Sequence, residues 1–146
     1  MRFVVLAIGR IRERGLRDTV DEYLGRLRRY VAVDEIELKD DLAPKLASAA
    51  ARRIPEGARV ILLDGGGKAH TSEGFARHIE RLASQGKGVL AFVIGGADGV
   101  PAELAALSHE RLSLSTMTLP HRLARLVLLE QLYRAMTILR GEPYPR

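Results

Sequence analysis

At 146 residues and 47% hydrophobic content, the chain is long enough to bury the core of one compact domain. It holds no cysteine, which excludes a disulfide framework, a thiolate metal site and a cysteine nucleophile. Lysine and arginine outnumber aspartate and glutamate 23 to 18, and the net charge of +5 suits either a polyanionic partner such as nucleic acid or a plain solvated basic surface.

No apolar run approaches the roughly 20 residues of a membrane span. The apolar start is too short for a signal peptide, so a cytoplasmic chain without membrane contact is expected. Residues 3–8 form a continuous apolar run closed by Gly9, the pattern of a central strand covered on both faces. Leu16, Val20, Tyr23, Leu24, Leu27 and Tyr30 then recur at helical spacing among charged residues, predicting an amphipathic helix on the sheet. Residues 31–38 read as a more polar strand nearer an edge, and 46–54 as a short alanine-rich helix blurred at its start by Pro44. A third strand spans 59–64 and is broken sharply by Gly65-Gly66-Gly67-Lys68. Thr71 or Ser72 caps the next helix, whose apolar stripe is Phe75, Ile79 and Leu82.

Residues 89–94 give a fourth strand, Pro101 opens a short helix running to Leu107, and 112–115 alternate leucine with serine as a short fifth strand. The last helix opens near Pro120 and stops at Gly141. This alternation of strand and helix predicts a single α/β domain over residues 1–146 with a parallel sheet. The last helix is apolar around much of its circumference. Leu128, Leu129, Leu132 and Met136 cannot share one face with Leu123, Leu126 and Val127, so the helix is either buried deeply in its own chain or packed against a second copy; the homodimer is the favoured alternative.

The glycine loops carry neither common nucleotide fingerprint. Gly9 and Gly15 do not match the dinucleotide spacing, and Ala69 stands where a P-loop needs serine or threonine after Lys68. Gly95-Gly96-Ala97-Asp98-Gly99 follows a strand at the end where open α/β sheets bind ligands; such a loop serves either a tight turn or close backbone approach to a ligand. Three strand ends, after Leu63, after Ile94 and around residues 115–120, carry small or hydroxyl residues, and their convergence would line one pocket beside Arg134. His121 opens the last helix next to that pocket, where it can serve as a general base or hydrogen-bond donor. His78 and His109 read as exposed, and His70 as a loop residue that nothing requires at the pocket. No residues have metal-ligand spacing, so no metal is expected. Arg134 lies beside Tyr133 on a largely apolar helix, where burying an idle guanidinium is costly; a grip on phosphate or a substrate carbonyl accounts for it.

Leu-Leu-Asp before a glycine loop, Phe-Val-Ile-Gly-Gly-Ala-Asp-Gly, Leu-Ser-Leu-Ser-Thr-Met-Thr-Leu-Pro-His, Leu-Glu-Gln-Leu-Tyr-Arg-Ala and a terminal Pro-Tyr occur in this order. Together they resemble the RlmH (YbeA-like) ribosomal RNA methyltransferases of the SPOUT class, over essentially the whole chain. The resemblance implies a homodimeric α/β fold with a C-terminal trefoil knot, a rare exception to the rule against threaded chains. It implies S-adenosylmethionine held by Leu63, Gly95, Gly96, Ser115, Thr116, Met117, Thr118, Leu119 and Pro120. It further implies a pseudouridine in the helix 69 stem-loop of 23S rRNA as substrate, methylated at N3 on assembled 70S ribosomes. By matching position Arg134 and His121 are the catalytic candidates, and Arg125, Tyr144 and Arg146 the RNA contacts. One departure stands out: family members end Pro-Tyr-His, whereas this chain ends Pro143-Tyr144-Pro145-Arg146. A non-catalytic ribosome or RNA binder that keeps the fold is therefore the alternative to an active enzyme.

Overall fold

The computed structural model describes residues 1–144. In chain order the elements are β1 (Arg2–Ile8), α1 (Arg14–Leu27), β2 (Ala32–Leu38), α2 (Ala43–Arg53) and β3 (Arg59–Ala69), then α3 (Ser72–Ala83), β4 (Val89–Ile94), α4 (Ala102–Ala105), β5 (Glu110–Ser113) and α5 (His121–Leu139). The strands form one sheet in the order β2-β1-β4-β3-β5. Every pairing is parallel.

Because side chains alternate along a strand, each central strand feeds two cores. Phe3, Val5 and Ala7 of β1, with Leu90, Phe92 and Ile94 of β4, face α1, α3 and α5. Val4, Leu6 and Ile8, with Ala91 and Val93, face α2 and α4. Both cores need apolar residues, so β1 and β4 read as unbroken hydrophobic runs. Phe3 meets Phe92 edge-on, with ring centroids 5.9 Å apart. The more polar β2 lies at an edge, as its composition predicts.

The last helix buries Leu128, Leu129, Leu132, Ala135 and Met136 within its own chain. Leu123, at 42% exposure, remains outside, and Leu126 and Val127 are half-buried. Burial in the same chain therefore explains the larger part of its apolar surface. No described helix is long and apolar enough to cross a membrane.

Several local expectations need correction. The three glycines do not break β3, which continues to Ala69 as an irregular strand: Leu63 and Lys68 both pair with Leu112. A bulge absorbs the residues between them, and glycine is what permits it, since a Cβ on Gly67 would lie 2.7 Å from the Arg111 carbonyl carbon and 2.8 Å from the Leu112 nitrogen. Strand β5 begins at Glu110, not Leu112, because Glu110 and Arg111 pair with Ile61 and Leu62. It ends at Ser113, whose hydroxyl donates to the Ser115 carbonyl at 2.8 Å and turns the chain away. Helix α2 starts earlier than expected, since Pro44 fits its first turn, where its missing N–H has no partner to lose.

Two histidines are structural. His109 Nδ1 accepts the Val60 N–H at 2.9 Å, and the His109 backbone N–H donates to the Val60 carbonyl at 2.8 Å, clipping β5 to β3. His78 lies 2.6 Å from the Glu110 carboxylate and stacks on His70 with centroids 4.9 Å apart. Burial, then the neighbouring His78, holds the His70 imidazole below its ordinary pKa.

The bulge makes a direct test. Gly67→Ala should destabilise the chain by about 1–3 kcal/mol in chemical denaturation through overpacking against backbone. Gly65→Ala, with nothing within 4 Å of the added Cβ, should stay within about 0.5 kcal/mol of the parent.

Candidate active site

The carboxyl ends of β3, β4 and β5 surround a cavity of about 680 Å³, the size range of small-molecule sites. Leu63, Asp64 and Gly65 line it from β3, Gly95, Gly96, Ala97 and Gly99 from the loop after β4, and Leu114, Ser115, Met117, Thr118, Leu119 and Pro120 from the segment after β5. The three strand ends singled out in the sequence thus meet. Thr116 belongs to the same segment but is not among the lining residues.

Backbone makes much of the β4 wall. Gly96 and Gly99 bridge each other, with the Gly99 N–H donating to the Gly96 carbonyl at 3.0 Å. A Cβ on Gly95 would sit 2.7 Å from the Gly99 carbonyl carbon, and one on Gly96 would sit 3.2 Å from the Ile8 carbonyl oxygen. The loop is therefore both a tight turn and a close backbone approach across the end of β1. On the opposite wall the Ser115 hydroxyl oxygen accepts the Met117 N–H at 2.9 Å, which orders the turn and leaves Met117 76% exposed.

An ion pair that sequence reasoning missed lies at the β3–β5 side. Arg111 donates to the Asp64 carboxylate at 2.7 Å, and the other carboxylate oxygen accepts the Gly66 N–H at 3.0 Å. The Gly66 N–H first, then the guanidinium, holds the Asp64 carboxyl below its ordinary pKa, so it is ionised at neutral pH. Asp64 was visible in the Leu-Leu-Asp motif; Arg111 carried no local signal.

His121, the first residue of α5, is exposed and lines the cavity. Arg134 is not at the cavity of its own chain. It follows His121 by thirteen residues on the same helix, about 20 Å along the axis at 1.5 Å per residue. There its Nη2 donates to Glu130 at 2.6 Å and its guanidinium carbon lies 5.3 Å from the Tyr144 ring centre, while its Nε is buried with no partner among the described residues. All four tyrosines gather here: Tyr133 packs against Tyr23, Tyr30 and Tyr144. The Tyr144 hydroxyl donates to Glu130 at 3.1 Å and lies 3.4 Å from that of Tyr23. Burial, then these two partners, raises its pKa well above the ordinary phenol value, so it remains a protonated donor.

Arg125 is not placed on a surface that RNA can reach. It is 4% exposed, donating to Glu37 at 2.5 Å, to Glu35 at 3.3 Å and to the Gly9 carbonyl at 3.0 Å. The helical spacing put it on α5 but could not show that β2 supplies two carboxylates to receive it. Arg146 lies outside the described residues.

A family model described as a predicted SPOUT methyltransferase matches residues 1–145. Ribosomal RNA large subunit methyltransferase H of Sorangium cellulosum is 59% identical over 144 residues, covering 99% of both chains. The protein of the same name from Bacillus thuringiensis is 45% identical over a 157-residue alignment, again covering 99% of both. Among solved structures, TrmJ from Z. mobilis superposes with a TM-score of 0.55 at 9% identity, over 94% of this chain and 70% of that one. A probable methylase family protein from Haemophilus influenzae gives 0.54 at 13% identity, over 99% and 70%. At such identities these two structures speak for the fold alone. The full-length sequence matches go further: the chain belongs to the SPOUT methyltransferase family, in the group of ribosomal RNA large subunit methyltransferase H.

Proposed function

We propose that the chain transfers the methyl group of S-adenosylmethionine to N3 of a pseudouridine in 23S rRNA, in the helix 69 stem-loop of assembled 70S ribosomes, as a homodimer knotted in its C-terminal half. The observation that carries the reading is the cavity of about 680 Å³, whose three walls come from segments far apart in sequence. The shared name of the full-length relatives supports a large-subunit rRNA substrate.

The residues present suit a nucleoside joined to an amino acid. Glycine backbone at residues 95 and 96 admits close approach, Leu63, Leu114 and Leu119 offer apolar contact, and the turn over residues 115–120 presents backbone polar groups. The Asp64–Arg111 pair stiffens the β3–β5 side. When bound, S-adenosylmethionine supplies a methyl group already activated by its sulfonium. The chain's own share is to align the nucleophile, exclude water and take up the N3 proton.

Pseudouridine N3 is an imide nitrogen between two carbonyls. As its proton leaves, charge spreads onto both oxygens, where guanidinium donors stabilise it. Arg134, whose buried Nε has no partner among the described residues, takes that role in our reading. His121 stands on the substrate side and receives the proton. Tyr144, held as a neutral phenol, donates or stacks instead of acting as base. Because Arg134 lies about 20 Å along α5 from its own cavity, it serves the cavity of the second copy. The partly exposed Leu123, Leu126 and Val127 give the dimer apolar contact. A second reading, an RNA binder without transfer, is favoured by one feature, Pro145 where the resembled family carries histidine.

Labelled S-adenosylmethionine should deliver methyl groups to ribosomes that lack the modification; donor binding without transfer would establish the second reading instead. Gly95→Ala, whose Cβ would lie 2.7 Å from the Gly99 carbonyl carbon, should displace the loop and weaken donor binding about tenfold or more, roughly 1.4 kcal/mol, beside a loss of stability like that of Gly67→Ala. Arg134→Ala should lower kcat about a hundredfold at unchanged donor affinity. If Arg134 acts across the dimer, randomly exchanged Gly95→Ala and Arg134→Ala subunits should regain about a quarter of parental activity, because each mixed two-fold dimer rebuilds one intact site. No recovery after verified exchange would place Arg134 in its own site or outside catalysis.

A further inference from the structure

Along the same carboxyl edge of the sheet, a second concavity of about 590 Å³ opens at the ends of β1 and β2, lined by Gly9, Arg10, Arg12, Glu37, Lys39 and Asp40 with Leu38. Its chemistry is basic. Arg10 and Arg12 flank Ile11, which is only 9% exposed, so the alternation that sinks the isoleucine into the core turns both arginines outward. Arg14 and Lys39 are also exposed. Arg17, Arg111, Arg122 and Arg125 each pair with a carboxylate. Arg10, Arg12, Arg14 and Lys39 have none within 4.0 Å among the described residues. Of the two acids lining the concavity, Glu37 is already engaged by Arg125 at 2.5 Å, and Asp40 faces solvent.

The loop that carries these cations is anchored from several sides. The Gly9 N–H donates to the Leu38 carbonyl at 2.8 Å, the Gly9 carbonyl accepts from Arg125 at 3.0 Å, and the Ile11 N–H donates to Glu37 at 3.3 Å. Glu13 then binds Arg122, the neighbour of His121 at the mouth of the donor cavity. Anchoring cations before a ligand arrives reduces the ordering cost of binding.

Their position also fits. The loop after β1 leads to α1 on one face of the sheet, and the loop after the adjacent β4 leads to α4 on the other, which makes the crevice between them the topological switch point. The two loops meet there, since a Cβ on Gly96 would lie 3.2 Å from the Ile8 carbonyl oxygen. The end of β2 is two strand spacings from β4, about 10 Å. That is the length of about three stacked nucleotides.

We propose that Arg10, Arg12, Arg14 and Lys39 form a sequence-independent phosphate grip that holds the RNA strand adjoining the methylated nucleotide. The proposal rests on the rRNA methyltransferase reading and adds to it where the substrate backbone runs.

The test is the Arg10→Ala/Arg12→Ala/Lys39→Ala variant, whose altered side chains are exposed and make no ion pair in the described residues. Its dissociation constant for 70S ribosomes that lack the modification should rise at least about tenfold at about 0.1 M salt. The slope of log Kd against log salt should fall by about two to three, one lost counterion per removed charge. Donor affinity should remain within about twofold, and the Arg10→Lys/Arg12→Lys variant should keep most of the RNA affinity, since phosphate contact needs charge more than a guanidinium fork. Unchanged RNA affinity and salt slope would overturn the proposal. So would a loss of ribosome affinity with the salt slope unchanged, which would indicate a contact other than phosphate, or an equal loss of donor binding. A parental protein that neither binds nor methylates ribosomes lacking the modification would overturn the functional reading itself, an outcome distinct from failure of the triple variant alone.

Discussion

The cavity exists because β5 can lie against β3 on both sides of a bulge. Leu63 and Lys68 share Leu112 as partner, and the backbone of Arg111 and Leu112 comes within 3 Å of where a Gly67 side chain would begin. That contact fixes where the chain leaves β5, beside Leu63 and Asp64, so that residues 114–120 form the third wall. The hydroxyls of Ser113 and Ser115 then close the turn locally. A bulge of this kind re-aims a strand end at modest cost in ladder hydrogen bonds, which is why bulges recur beside functional sites.

Helix α5 ties this wall to the rest of the molecule. Its middle is held by Leu128, Leu129 and Leu132, all fully buried. Its first turns are held electrostatically: Arg125 enters the interior and meets Glu35, Glu37 and the Gly9 carbonyl. Leaving either charge buried without the other would cost several kcal/mol, so the cluster fixes register more than it adds stability. The same contacts fasten the end of β1, and the mouth of the cavity and the basic loop at residues 9–14 therefore share one rigid support. Arginines in this chain divide accordingly. Arg17, Arg111, Arg122 and Arg125 hold carboxylates and brace the architecture, whereas Arg10, Arg12 and Arg14 have none within 4.0 Å among the described residues.

Much of the fold is legible in the sequence because strand and helix signals are local. The apolar runs of β1 and β4, the polar face of β2 and the helical stripe of Phe75, Ile79 and Leu82 are patterns within a dozen residues, and each lies in the element its period predicts. The loops that line the cavity were also visible, since small and hydroxyl residues at three strand ends are a compositional signal. Misreadings arise where meaning depends on a distant partner. The glycine run looks like a break until β5 is alongside. His109 is exposed, as its sequence context suggests, but its clip to Val60 shows only once β3 is alongside, and Arg125 looks like an RNA contact until β2 supplies its carboxylates.

From the amino-acid order alone came the α/β class, the polarity of each strand, the cavity-forming segments and the family resemblance, all carried by short-range periodicity or contiguous motifs. The tertiary structure alone decided which cations are internally paired among the described residues, and it decided that the walls of the cavity leave Arg134 outside them. The reason is physical: ion pairing and distance depend on residues far apart in the chain, and spacing along one helix says nothing of what the neighbouring strands present to it.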